Sequence, residues 1–213
     1  MNDYASLKSQ YYSYGFLLAF LLGGCNQTPV GLEAVTPFDV QRYKGHWYEV
    51  MRLDNRFERG LSHVTATYDL RDDGTVSVLN RGFNSANCEW KEAKGVAVFQ
   101  QRKTVGSLSV SFFWPFSGGY HVIGLDRKNY HFALVSGPSR KYLWILSREP
   151  VLAADVRQKL IEEARKLGFP VSELVMVEHG DRQCKDLSGP KAKLSSMSTS
   201  VMVINARLDL RCR

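Results

Sequence analysis
The chain is short of the motifs that mark most enzymes. No Gly-x-Ser-x-Gly, glycine-rich phosphate loop or Cys-x-x-Cys occurs in its 213 residues, and each of these is the local signature of one chemistry: an acyl nucleophile, a phosphate cradle, a thiol pair. The five histidines, His46, His63, His121, His131 and His179, are dispersed, and none stands at a metal-ligand spacing. Neither a metal nor a cofactor is therefore expected. Long apolar runs are scarce too: the run at 16–22 is too short to span a bilayer as a helix and has the size of a signal-peptide core. Basic charge is not concentrated where a nucleic acid would need it. The formal charge is +7, but from Asp181 onward seven basic residues face three acidic ones, and no dense basic stripe remains in the body of the chain. Nucleic acid is not an expected partner.

What is present is a hairpin rhythm. A hydrophobic content of 44% and a charged content of 23% are globular values, and the length suits one domain with tails. Around Gly45-His46-Trp47 a glycine precedes an indole at the start of a first strand, in which Trp47, Glu49 and Met51 alternate with Tyr48, Val50 and Arg52. Residues 64–70 alternate apolar and polar, Asp72-Asp73-Gly74 makes a tight turn, and 75–80 return. Further strands are expected at 90–100, 105–113, 120–126, 130–136 and 142–147, with turns at Ser117-Gly118-Gly119, Arg127-Lys128-Asn129 and Gly137-Pro138-Ser139. Eight strands with tight turns predict an all-β protein, an eight-stranded antiparallel up-and-down barrel. A helical turn at 38–43 is placed to plug the floor. After Pro150, the helical spacing of Val156, Leu160, Ile161, Ala164 and Leu167 predicts one C-terminal helix packed on the outside, ending near Gly168 and lacking a polar N-cap. A short strand is expected within 172–177. The resulting division is 1–24 signal peptide, 25–36 aperiodic tether, 37–180 barrel with helix, and 181–213 an extension without an assigned fold; 200–210 is strand-like but has no evident partner.

Three segments in this order, Gly45-His46-Trp47, Tyr120 to Arg127 and Tyr142 to Arg148, resemble the lipocalin family. The resemblance implies that Trp47 closes the barrel bottom, that Asp126 marks the turn between strands six and seven, and that Arg148 lies across the indole. Arg56-Phe57-Glu58-Arg59-Gly60-Leu61 and Ser111-Phe112-Phe113-Trp114-Pro115-Phe116 look like the bacterial outer-membrane lipocalins in particular. Leu22-Gly23-Gly24-Cys25 resembles a bacterial lipobox, which implies lipid attachment at Cys25, and Asn26 in place of aspartate goes with export to the outer membrane, on its periplasmic side. Lipocalins often tie the C-terminal segment to the barrel by a disulfide. Cys88 with Cys184 is the pairing this implies, with Cys212 as competing partner and a free Cys88 thiol as the alternative.

Because Arg148 must reach Trp47, Tyr142, Trp144 and Leu146 share its inward face, while Leu143 and Ile145 face out beneath the helix. The same alternation turns Val64, Ala66 and Tyr68, Val110 and Phe112, and Tyr120, Val122 and Gly124 inward, and puts His121 outside. These residues make an apolar cup with phenolic hydroxyls, the composition of a small-molecule pocket; the alternative is that they simply fill the lumen, as side chains can in a barrel of this width, and the resemblance to a ligand-binding family favours the pocket. Glu49 lies inside with no evident partner acid and reads as a structural or head-group contact. The expected function is a non-enzymatic carrier of fatty acids or lysophospholipids, with a homodimer left open. The alternative is an enzyme on the same scaffold, with Cys88 as nucleophile or Glu49 as base on a lipid-like substrate.

Overall fold
Alternation of buried and exposed residues carries the chain through eight hairpin-linked strands. The computed structural model describes residues 26–182 and residue 184; the expectations for the signal segment, Cys25, Cys212 and 200–210 fall outside the described residues. The elements are α1 (Val40–Tyr43), β1 (Gly45–Leu53), β2 (Leu61–Leu70), β3 (Val76–Asn84), β4 (Glu89–Phe99), β5 (Ser107–Phe113), β6 (Phe116–Leu125), β7 (Phe132–Ser136), β8 (Leu143–Ser147), α2 (Ala154–Lys166) and a short β9 (Leu174–Met176). Consecutive strands pair antiparallel, and β1 pairs with both β8 and β2, so the sheet closes on itself. Closure removes the sheet edges that would otherwise invite pairing with other chains.

Two cores result. The inner one is built from alternate residues of the wall around Trp47, Tyr68, Val122 and Leu146. The outer one packs Leu160 and Ala164 of α2 on Val50, Leu134, Leu143 and Ile145. The helix forms on its apolar spacing alone, since its N-cap, Ala153, makes no side-chain capping bond.

The strand register shifts at four pairings, and two of these shifts redirect residues of the expected lumen. In β1 the register against β8 shifts between Glu49 and Met51, a bulge that puts Val50 and Met51 together in the outer core and turns Arg52 inward beside Glu49. The expected inward face of Trp47, Glu49 and Met51 is thus corrected: Arg52 takes the place of Met51. In β6 a shift between Val122 and Gly124 does the same. Gly124 lies under Glu163 of α2 and not in the lumen, and a Cβ there would sit 2.9 Å from its carboxylate. The turn expected at Ser117-Gly118-Gly119 is also displaced. Those residues are inside β6, and the chain reverses at Trp114-Pro115 between paired Phe113 and Phe116.

The segment 26–36, read from sequence as a tether, is packed on the wall. Val35 accepts from Gly106 N and donates to Val122 O, Thr28 bonds the buried ring of His121, and Asn26 bonds Ser109 and Ser117. His121 does face outward, as expected, but this strap covers it completely. At the other end of the chain, β9 pairs with β1 alongside Met51 to Leu53. Val177 N then bonds Val50 O and Glu178 O accepts from His63 N, filling the upper seam where β1 and β2 part. Cys184 is disulfide-bonded to Cys88 in the β3–β4 loop, with 5.3 Å between their Cα atoms, so Cys88 carries no free thiol for a nucleophilic role.

Candidate functional site
The floor of the barrel is set by one backbone requirement. Gly45 has φ +95°, a conformation that a side chain strains against, and from it Trp47 enters the lumen fully buried. The indole N–H donates to Tyr43 O at 2.8 Å. Arg148 lies 3.9 Å above the ring centroid and donates to the carbonyls of His46, Arg42, Tyr43 and Lys44 at 2.7 to 3.0 Å. It thereby satisfies the carbonyls that α1 leaves open. Asp126 accepts from the backbone N–H groups of Lys128, Asn129 and His131, shaping the β6–β7 turn.

Above the floor, Tyr43, Tyr68 and Tyr120 share their hydroxyls. Tyr120 Oη is 2.7 Å from that of Tyr43 and 2.9 Å from that of Tyr68. Burial raises the pKa of all three, so they are neutral hydrogen-bonding groups at any physiological pH. The cavity between them, Phe38, Val76, Leu108 and Val110 is only about 20 Å³, room for one water. The lower half of the barrel is therefore filled by its own side chains.

The upper half is different in kind. Arg52 Nη1 lies 2.8 Å from Glu49 Oε1, both side chains being 5% exposed, and Nη2 donates to the carbonyls of Glu58 and Leu61. Glu58, from the β1–β2 loop, accepts from Trp144 Nε1 at 2.9 Å and Asn55 Nδ2 at 2.6 Å. Glu49 has its pKa raised well above the usual range, first by burial and then by the neighbouring Glu58 carboxyl, with Arg52 opposing. The Glu49 carboxyl thus lies between the Arg52 guanidinium and a second carboxyl, and burial with that neighbour favours its protonated form. Arg52 Nε and Asn80 Oδ1 are buried with no partner among the described residues.

The expected pocket residues divide between these levels. Ala66, Tyr68, Val122 and Leu146 belong to the inner core, and Val110, Tyr120 and Trp144 pack against it. Val64 is buried against Gly82. Phe112 leans over Gly95 yet stays 43% exposed, and Tyr142 stacks on Trp144 at 6.2 Å. Phe38 and Tyr43 plug the floor as the turn at 38–43 was expected to, whereas sequence reasoning missed the roles of Arg52, Glu58 and Asn80. It read Glu49 as lacking a partner acid, and Glu58 is that partner. Alternation along β3 could have found Asn80; nothing local announces the bulge that redirects Arg52. Among the described residues no group of three or more His, Cys, Asp or Glu side chains could hold a metal ion.

A closed antiparallel barrel with a packed aromatic floor and a buried polar group above it has the architecture of a small-ligand-binding calyx. Residues 38–179 match the lipocalin-like domain family, and the chain belongs to it. It is 49% identical over 162 residues to the outer membrane lipoprotein Blc of Vibrio cholerae, covering 76% of this chain and 95% of that one. It is equally 49% identical to Blc of Escherichia coli strain K12, covering 75% and 91%. Bovine apolipoprotein D is 34% identical over 142 residues, covering 63% and 71%. The fold is also that of insecticyanin from the tobacco hornworm Manduca sexta, with TM-score 0.59 at 19% identity over 74% of this chain and 89% of that one.

Proposed function
We propose that this protein is a non-enzymatic carrier of single-chain lipids, fatty acids or lysophospholipids, held at the periplasmic side of the outer membrane by acyl chains on Cys25. The observation that carries the reading is the division of the lumen. A solid aromatic floor of Tyr43, Trp47, Tyr68 and Tyr120 lies below a buried polar group of Glu49, Arg52 and Glu58, which is bonded to Trp144, and Val64, Phe112 and Tyr142 are the apolar residues we assign to the wall above it. Apolar walls receive the chain, and the buried polar group offers donors and acceptors to whatever is attached to it. Ten methylenes removed from water contribute roughly 8 kcal/mol before ordering costs, enough for micromolar binding, whereas one methylene more or less changes the balance by only ~0.8 kcal/mol. Chain length is then read loosely. The similarity to outer membrane lipoproteins supports the location, and triple acylation holds more firmly than a single chain, which binds only marginally.

Native mass spectrometry of protein purified from membranes should find one single-chain lipid per barrel, and titration should change tryptophan emission in wild type and much less in Trp144→Ala. An empty barrel that responds to no single-chain lipid would overturn the reading. Pairing of two copies is a separate expectation, read by sedimentation velocity on the same material. The enzyme alternative now rests on the Glu49–Glu58 pair, the arrangement in the upper half of the barrel best suited to move a proton. Release of fatty acid from a lysophospholipid by wild type and not by Glu49→Gln would establish it.

A further inference from the structure
We propose that the open end of the barrel docks on a phospholipid surface through the aromatic tip of the β5–β6 hairpin, so that the mouth opens toward the bilayer. The tip presents Trp114 at 88% exposure and Phe113 at 51%, flanked by Pro115 and by Phe116 at 38%. A soluble surface rarely leaves so much contiguous aromatic area in water without a partner. Tryptophan with an apolar body and one N–H is suited to the boundary between head groups and acyl chains.

Topology places this tip at the mouth. β1, β3, β5 and β7 all run toward the end where the β1–β2, β3–β4, β5–β6 and β7–β8 connections lie, opposite the floor of Trp47. The β1–β2 loop adds Phe57, 40% exposed, with the Arg56 guanidinium 4.8 Å over its ring. That pair joins an apolar face to a cation able to meet a lipid phosphate.

A second, independent observation selects a bilayer over other occupants. The strap climbs the outer wall of β5 and β6 from floor to mouth. Phe38 N bonds Thr104 O, Val35 meets Gly106 and Val122, Thr28 meets His121, and Asn26 is fixed to Ser109 and Ser117. The described chain thus ends at the level of Ser117, next to Phe116 and three residues from Trp114, roughly 10 Å along a strand. Cys25 is the next residue in sequence. If Cys25 carries the anchor, the proposal resting on the function above to that extent, then anchor and aromatic tip address the same surface. A lipid leaving that surface meets Trp144 and Tyr142 without crossing water.

The test uses the full-length acylated chain in vesicles of phosphatidylethanolamine and phosphatidylglycerol, with the photoreactive p-benzoylphenylalanine replacing Trp114. Illumination should link position 114 to phospholipid. Adducts to a second copy, to residues 185–213 of the same chain, or to nothing would overturn the proposal. In parallel, Trp114→Ser should slow uptake of lysophospholipid from vesicles by about tenfold, as loss of a buried indole at an interface implies, and Trp114→Phe should restore most of it. Uptake unchanged in Trp114→Ser would also overturn it. Trp114 is exposed, so the variant folds as wild type does. Native mass spectrometry of the same samples separates the two readings: a lipid-free barrel with the phospholipid adduct intact defeats only the carrier, and a loaded barrel without the adduct defeats only the docking.

Discussion
The residues with the most demanding surroundings are Gly45, Arg148 and Glu49. At φ +95°, Gly45 has Arg148 Nη1 3.5 Å from where a Cβ would stand, so Gly45→Ala should cost about 1–3 kcal/mol from backbone strain, measured by urea denaturation. Arg148→Lys keeps the charge but not the planar fork that lies on Trp47 and reaches four carbonyls. A loss of about 2 kcal/mol is expected, with red-shifted Trp47 emission as the floor admits water. Glu49 gives a pH signature. Its folded pKa is raised, so the native state keeps a proton that the unfolded chain releases. Stability from this group is therefore greatest below the ordinary glutamate range and declines as pH rises from there toward the folded value. Glu49→Gln should flatten that decline; a denaturation midpoint with the same pH slope in both proteins would refute the assignment.

At the scale of elements, what could be read in advance was what repeats. Hairpin turns such as Asp72-Asp73-Gly74, the alternation of β2 and β8 and the spacing of Leu160 and Ala164 are periodic signals, and each produced the element expected. The family fingerprint located Trp47, Asp126 and Arg148 because those roles are tied to local motifs. Bulges are single insertions whose position depends on the partner strand, so neither Arg52 entering the lumen nor Gly124 leaving it was legible. Glu58 was invisible for a related reason: it reaches the upper half of the barrel from a loop, and only the closed barrel brings it to Trp144. The aperiodic strap gave no sign of packing, because it is held by individual backbone and side-chain bonds instead of a pattern. The helix offers a simple test of element logic. Ala153→Ser or Ala153→Asp should add about 1 kcal/mol by capping the free N–H groups of α2, raising the melting temperature while leaving lipid binding unchanged.

At the scale of the whole molecule, wall and C-terminal segment are one structure. β9 and residues 177–180 complete the seam between β1 and β2, and the disulfide between Cys88 and Cys184 closes a chain separation of 96 residues over it. Cys88→Ser should cost about 2 kcal/mol or more and speed hydrogen exchange at 174–180 ahead of the barrel amides. Equal protection in both forms would mean that the clip is idle. The seam also has a consequence for how the protein is made. β1 is the first of the described strands to emerge from the ribosome, and the upper part of its free edge, from Val50 to Leu53, has no neighbour on that side until Leu174 to Val177 follow. A polypeptide cut short before Leu174 would keep that edge open as a template for a strand from another molecule. The same exchange performed with an intact neighbour would lend β9 across a pair of copies, giving a swapped dimer of two complete barrels.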